Sequence, residues 1–253
     1  MYLWKTWHDS RTRVVVYILA ALSVGLLSGL EVVTWANWHT LQLTLERPIH
    51  RNNWDFYGDL TFDLLRWQVI GYGQVAALLA GLSLGASGVG REYGAGTMHF
   101  VLTRPRARTN FVFTDWMTGL TAMVIVVGAL AYGVLPFLWF AHAQGPGNIL
   151  MGLPSLWALG AAIFGLASFT TLVGGSAPKG LVLSVAGVLT YLFLPAALYE
   201  WWHMDTLIKA QNWTLQILSR DSYHFHWSVT VFWLAAAASF LGASLLWIKF
   251  REV

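Results

Sequence analysis

The chain of 253 residues contains no cysteine, which excludes a disulfide framework, a thiolate zinc site and a thiol nucleophile at once. Charge is nearly as scarce. Only 11% of residues are Asp, Glu, Lys or Arg, where a soluble domain carries roughly 25%. The polar shell that a water-soluble core of this length needs is therefore missing. Apolar residues take its place, 57% of the total with 15 Trp and 14 Phe, and lipid is the solvent that composition fits.

Catalytic patterns are missing too. Neither H-E-x-x-H nor G-x-S-x-G occurs in the sequence, which removes the familiar zinc-hydrolase and serine-hydrolase signatures. The nearest approach to a phosphate cradle is "GGSAPKG", Gly174 to Gly180. There Pro178 stands where the loop needs glycine, Gly180 stands where it needs Ser or Thr, and proline removes a backbone donor. His203, His224 and His226 lack a carboxylate or further histidine at a spacing that fixes metal geometry, and they suit a headgroup layer better. The chain is accordingly read as non-enzymatic, with no catalytic, cofactor-binding or metal residue of its own.

What is present is six long apolar runs. A hydrocarbon layer about 30 Å thick takes roughly 20 residues of helix. The runs lie near 14–35, 69–89, 116–140, 153–173, 181–198 and 227–248. They predict an all-α polytopic membrane protein, a single transmembrane domain over 1–253 with six transmembrane helices. The first run is too long for a signal-peptide core and is read as a retained span. The first thirteen residues, "MYLWKTWHDSRTR", put Leu3, Trp4 and Trp7 on one helical face and predict an N-terminal interfacial helix. A frayed tail is the competing reading.

Basic residues set the orientation. With a cytoplasmic N-terminus, the inner segments hold Lys5, Arg11, Arg13, Arg91, Arg104, Arg106, Arg108, Lys179, Lys249 and Arg251 out of fifteen Lys and Arg. Such a bias predicts a multi-pass protein of the cytoplasmic (inner) membrane with both termini cytoplasmic. Of the acidic residues only Asp9, Glu92, Asp115 and Glu252 fall inside. Glu31, Arg66, Asp115 and Glu200 are expected near span ends, within reach of water, because charge at depth is costly. Two outer segments, near 36–68 and 199–226, are rich in Trp, Tyr and His, and short interfacial or re-entrant helices are expected between spans five and six.

Within the spans, "GLLSG" (Gly25 to Gly29) and "GLSLG" (Gly81 to Gly85) repeat a small-xxx-small spacing that lets helix backbones approach. Pro136 and Pro195 are expected to bend the outer ends of spans three and five. Gln74, Ser83, Ser168, Thr170, Thr171 and Thr190 are read as helix–helix hydrogen-bonding groups rather than a substrate path.

The most distinctive inner segment is "REYGAGTMHFVLTRPRAR", residues 91 to 108. Gly94 and Gly96 can end the helix leaving span two. Thr97 can cap a short transverse helix, and Pro105 suits the first position of the next helix. Glu92, Gly96, Thr97, Phe100, Leu102, Pro105 and Arg108 together resemble the cytoplasmic loop of the type-2 exporter family of ABC transporter permeases. The motif covers about eighteen residues, while the six-span layout is shared along most of the chain.

That resemblance implies a permease subunit of an ATP-driven exporter, whose coupling loop, near 90–115, docks on a separate cytoplasmic ABC ATPase subunit. Arg91, Glu92, Gly96, Thr97, Arg104, Pro105 and Arg108 would form the coupling loop. ATP and magnesium would sit on the ATPase partner. A second permease subunit, identical or related, would complete the transporter within membrane lipid, and nucleic acid is not expected. The chain departs from the family at the start of span three, where relatives often carry a lysine. Here "TDWM" leaves inner-leaflet anchoring to Trp116. Two other classes compete: a non-transporting anchor or regulatory subunit that recruits an ATPase, and a metal-dependent membrane enzyme using the outer histidines.

Overall fold

The computed structural model describes residues 11–31, 34, 70–88, 92, 96, 105–140, 152–202, 205–215 and 227–250. Its helices are α1 (Arg11–Glu31), α2 (Ile70–Gly88), α3 (Pro105–Phe140), α4 (Leu153–Gly174), α5 (Ala177–Trp202), α6 (Asp205–Leu215) and α7 (Trp227–Phe250). All but α6 are long and apolar enough to cross a membrane, so the protein is a multi-pass, all-α bundle. The expected N-terminal interfacial helix lies almost wholly outside the described residues, and Arg11 and Arg13 already belong to α1.

Side-chain contacts give the direction of each helix. α1 runs parallel to α3, since Gly25 meets Gly133 and Gly29 meets Phe137. α2 runs parallel to α4, with Gly73 on Leu156, Gly81 on Gly160 and Gly85 on Phe164. α3 opposes α4: Gly119 faces the Phe164 ring, and the Trp157 indole donates to the Leu120 carbonyl at 3.2 Å. α7 returns parallel to α4, with Ser155 and Thr230 hydroxyls 2.6 Å apart and Gly165 near Phe240. Consecutive spans thus alternate in direction. Arg11 and Phe250 lie at one end of the bundle, together with the start of α3 and the α4–α5 turn.

Glycine is what brings these helices together. A methyl group on Gly25 would lie 2.6 Å from the Leu130 carbonyl oxygen, and one on Gly133 2.7 Å from that of Leu22. On Gly81 it would lie 2.8 Å from the carbonyl oxygen of Gly160. Lipid tails are as apolar as leucine, so helices in a membrane associate through such close van der Waals fit rather than by escaping water. Both small-xxx-small motifs are therefore used inside the chain, Gly25 and Gly29 on α3, Gly81 and Gly85 on α4.

α4 is the axis of the bundle. It packs on α7, α5, α3 and α2, and buries Leu156, Ala158, Leu159, Ala161, Ala162, Phe164 and Ala167. Pro154 opens it and Gly175 ends it, at φ 70 with its N–H on the Thr171 carbonyl at 3.0 Å. Only glycine enters that left-handed conformation at little cost. α5 follows after this tight turn and is held to α4 along one narrow edge. Thr170 and Ser184 hydroxyls lie 2.6 Å apart, both near the Gly180 carbonyl.

α3 differs from expectation at its start. It begins at Pro105, well before the expected 116, so the second half of the expected 90–115 loop is helical. Thr109, Asn110 and Asp115 dilute the apolar signal there, but a helix is limited by its backbone and its packing rather than by hydropathy. Phe111 and Val112 are buried against the neighbouring helices, which carries the helix through the polar positions.

Candidate functional site

Of the residues expected to form a partner-docking loop, the described ones lie at the end of the bundle that holds Arg11 and Phe250. Glu92 is helical and half-buried, a short way beyond the end of α2. Gly96 stands in an exposed turn at φ 68 with open space around its Cα, the left-handed geometry that favours glycine. Pro105 is the first residue of α3, and Arg108 belongs to the first turn of that helix. Arg91, Thr97 and Arg104 lie outside the described residues. Glu92, Gly96, Pro105 and Arg108 therefore belong to one junction between α2 and α3, made of a helix end, a left-handed turn and a new helix.

Beneath that junction two residues depart from expectation. Asp115, expected to reach water, is 5% exposed. Its carboxylate packs directly on the Cα of Gly88, at the last turn of α2, and any side chain at 88 would occupy the same space. Trp116, expected to anchor in the headgroup layer, is 3% exposed inside the bundle. Its ring meets Phe164 edge-on, centroids 5.6 Å apart, and presses on Gly165. The indole Nε1 and the nearby Ser168 hydroxyl are buried without a hydrogen-bond partner among the described residues. The reason is steric. Gly88, Gly119 and Gly165 leave three gaps at this level, and the aspartate, Phe164 and the tryptophan fill them in turn.

At the opposite end a second polar cluster joins α5, α6 and α7. Pro195 sits inside α5 and has no N–H, so the carbonyl four residues earlier, Tyr191, lacks its helical donor. The Gln211 carboxamide of α6 supplies one: Nε2 donates to Tyr191 O at 3.0 Å and to Leu192 O at 2.8 Å. The Tyr191 and Thr214 hydroxyls are hydrogen-bonded to each other, Thr214 reaches Gln211 O at 2.7 Å, and the Trp233 indole donates to Thr214 O at 3.0 Å. Tyr191 also meets the Trp233 ring edge-on. A short helix between spans five and six is thus present, and its buried face is polar, Gln211 and Thr214, while Leu207 and Trp213 are exposed.

Sequence reasoning missed Gln211. The signal that could have found it is Pro195 itself, because a proline inside a span frees a carbonyl and a nearby long amide donor is needed to satisfy it. Among the described residues no three His, Asp or Glu side chains gather at metal-binding distance. His203, His224 and His226 lie outside the described residues. Comparison with known protein families, curated proteins and solved structures finds no match for this chain.

Proposed function

We propose that the chain is the permease subunit of an ATP-driven exporter, resembling the type-2 exporter family of ABC transporters, with its α2–α3 junction docking on a separate ATPase. The observation that carries this reading is that junction. A half-buried acid at Glu92, a left-handed exposed turn at Gly96 and a proline-led helix from Pro105 follow one another between two spans. Positive-inside topology asks only for basic residues; it needs neither the acid nor the turn.

The bundle supports the reading mechanically. α2 meets α4 through Gly81 and Gly85 and meets α3 through Gly88 and Asp115, so a push on the junction reaches the helix pair at the centre of the fold. Closure of two ATPase subunits would tilt α2 against α3 and convert one packed arrangement into another. The basic ends of α1, α5 and α7, with Arg11, Arg13, Lys179 and Lys249, share the junction's side, a bias that supports reading that side as cytoplasmic under the positive-inside rule.

The test is isolation of the tagged full-length chain from its own membrane. A co-purifying ABC ATPase is expected, at least tenfold depleted by Gly96→Trp with Glu92→Ala while helical content stays unchanged. Absence of any such ATPase from the wild-type preparation, or equal recovery with the double variant, overturns the docking role.

A further inference from the structure

The depth of α6 can be read from side-chain registers. α4 and α7 run parallel with Ser155 beside Thr230. Trp233, three positions further, lies about 5 Å deeper at ~1.5 Å per residue, and it donates to the carbonyl of Thr214. α4 and α5 run antiparallel with Thr170 beside Ser184. Tyr191, seven positions further, comes level with the neighbourhood of Ile163, roughly 12 Å inside Ser155, and its carbonyl accepts from Gln211. Both registers put the C-terminal half of α6 below the first turn of α4. At and just below that turn α7 turns Val231 and Leu234 outward, 61% and 39% exposed, an apolar surface suited to lipid tails.

α6 presents a different surface at that level. Gln211 and Thr214 point into the bundle, while the opposite flank carries Asn212 at that level and Lys209, Thr206 and Asp205 successively nearer the end where α5 stops, all exposed. Trp213 lies on the same flank, one turn beyond Lys209, with its ring against Phe232. Lys209 and Asp205 are 3.6 Å apart, with side chains 76% and 54% exposed. Hydrocarbon gives a carboxamide, an ammonium, a carboxylate and a hydroxyl nothing to bond, and the cost rises from the end of the helix towards Asn212. Non-spanning backbone at membrane depth is tolerated where it lines water or is buried in protein. A protein partner would have to match four different polar groups, whereas water satisfies all of them without matching.

We propose that this flank of α6 lines an aqueous vestibule, which enters the bundle from the end where α5 stops and α7 begins. The proposal needs no assumption about an ATPase or a transported substrate and stands apart from the exporter reading.

The absence of cysteine makes the test direct. Single cysteines at Asn212 and Thr206, and at Val231 and Leu234 on α7, are introduced in the full chain in sealed membrane vesicles of known orientation. A charged, membrane-impermeant maleimide is then applied, which reacts through the thiolate and so needs water at the sulfur. Asn212→Cys is expected to label at least tenfold faster than Val231→Cys and Leu234→Cys. Any smaller ratio overturns the proposal, whether lipid or a second copy of the chain covers the flank. Lys209→Cys replaces Asn212→Cys if the latter does not fold.

Discussion

α4 and α5 are neighbours joined by one tight turn, each with a long apolar stretch, yet 72% of that stretch in α4 is buried and only 6% of that in α5. Hydropathy does not separate them, since burial in a membrane gains nothing from removing apolar surface from lipid. Side-chain size separates them. α4 offers Gly160, Gly165 and a run of alanines to four neighbours, whereas α5 turns Leu181, Val182, Leu183, Leu189 and Phe193 outward. The lesson is that steric access for backbones, rather than apolar character, decides which span becomes the axis.

Glycine swaps on the two sides break this contrast most sharply. Gly81→Leu drives a side chain against the Gly160 carbonyl, where a Cβ alone would lie 2.8 Å away. Neither backbone can yield without parting α2 from α4, so a loss of about 3 kcal/mol or more is expected, enough to prevent recovery of folded protein from membranes. Gly187→Leu on α5 meets only the end of Leu166 at 3.6 Å and is expected to change thermal stability by less than about 0.5 kcal/mol. Equal losses would show that α5 is covered as tightly as α4.

The next largest effect concerns the α2–α3 contact. Gly88→Ala puts a methyl where the Asp115 carboxylate lies, which displaces a buried polar group and is expected to cost about 2 kcal/mol. Gly88→Ala combined with Asp115→Ala is expected to recover about half of that, because the obstruction is removed. Thermal unfolding of the four proteins in one detergent gives the coupling directly, and strict additivity would mean that the two residues do not touch in the membrane.

The number of spans was legible in the sequence because length and apolar composition are local properties. The pairing glycines were legible as motifs, but not their partners, since spacing on one helix carries no address for another. Asp115 and Trp116 were misplaced for a related reason. Their ordinary sites are water and headgroups, and only the gaps at Gly88 and Gly165, contributed by distant helices, hold them inside. Gln211 escaped notice because the group it serves, the Tyr191 carbonyl, is created by Pro195 and lies twenty residues earlier in the chain.

A smaller effect is expected at that lock. Gln211→Leu removes both bonds to the α5 carbonyls, at a cost of about 1 to 2 kcal/mol by the range measured for hydrogen bonds within membranes. Pro195→Ala restores the missing N–H to α5, so the same Gln211→Leu change in that background is expected to cost less than half as much. If the two costs are equal, the glutamine holds α6 for a reason other than the freed carbonyl.

The smallest effect belongs to the exposed flank of α6. Lys209→Ala removes the pair with Asp205, but a pair 3.6 Å apart with both side chains mostly exposed competes with solvation of each partner, and its worth is below about 0.5 kcal/mol. Thermal unfolding is therefore expected to be unchanged by Lys209→Ala, against the larger shift from Gln211→Leu two positions away. The two faces of one short helix would then differ as α4 and α5 do: one face is held by fit and hydrogen bonds, the other by its solvent. A loss from Lys209→Ala as large as that from Gln211→Leu would mean that the pair is not screened by water, and the flank would have to be covered.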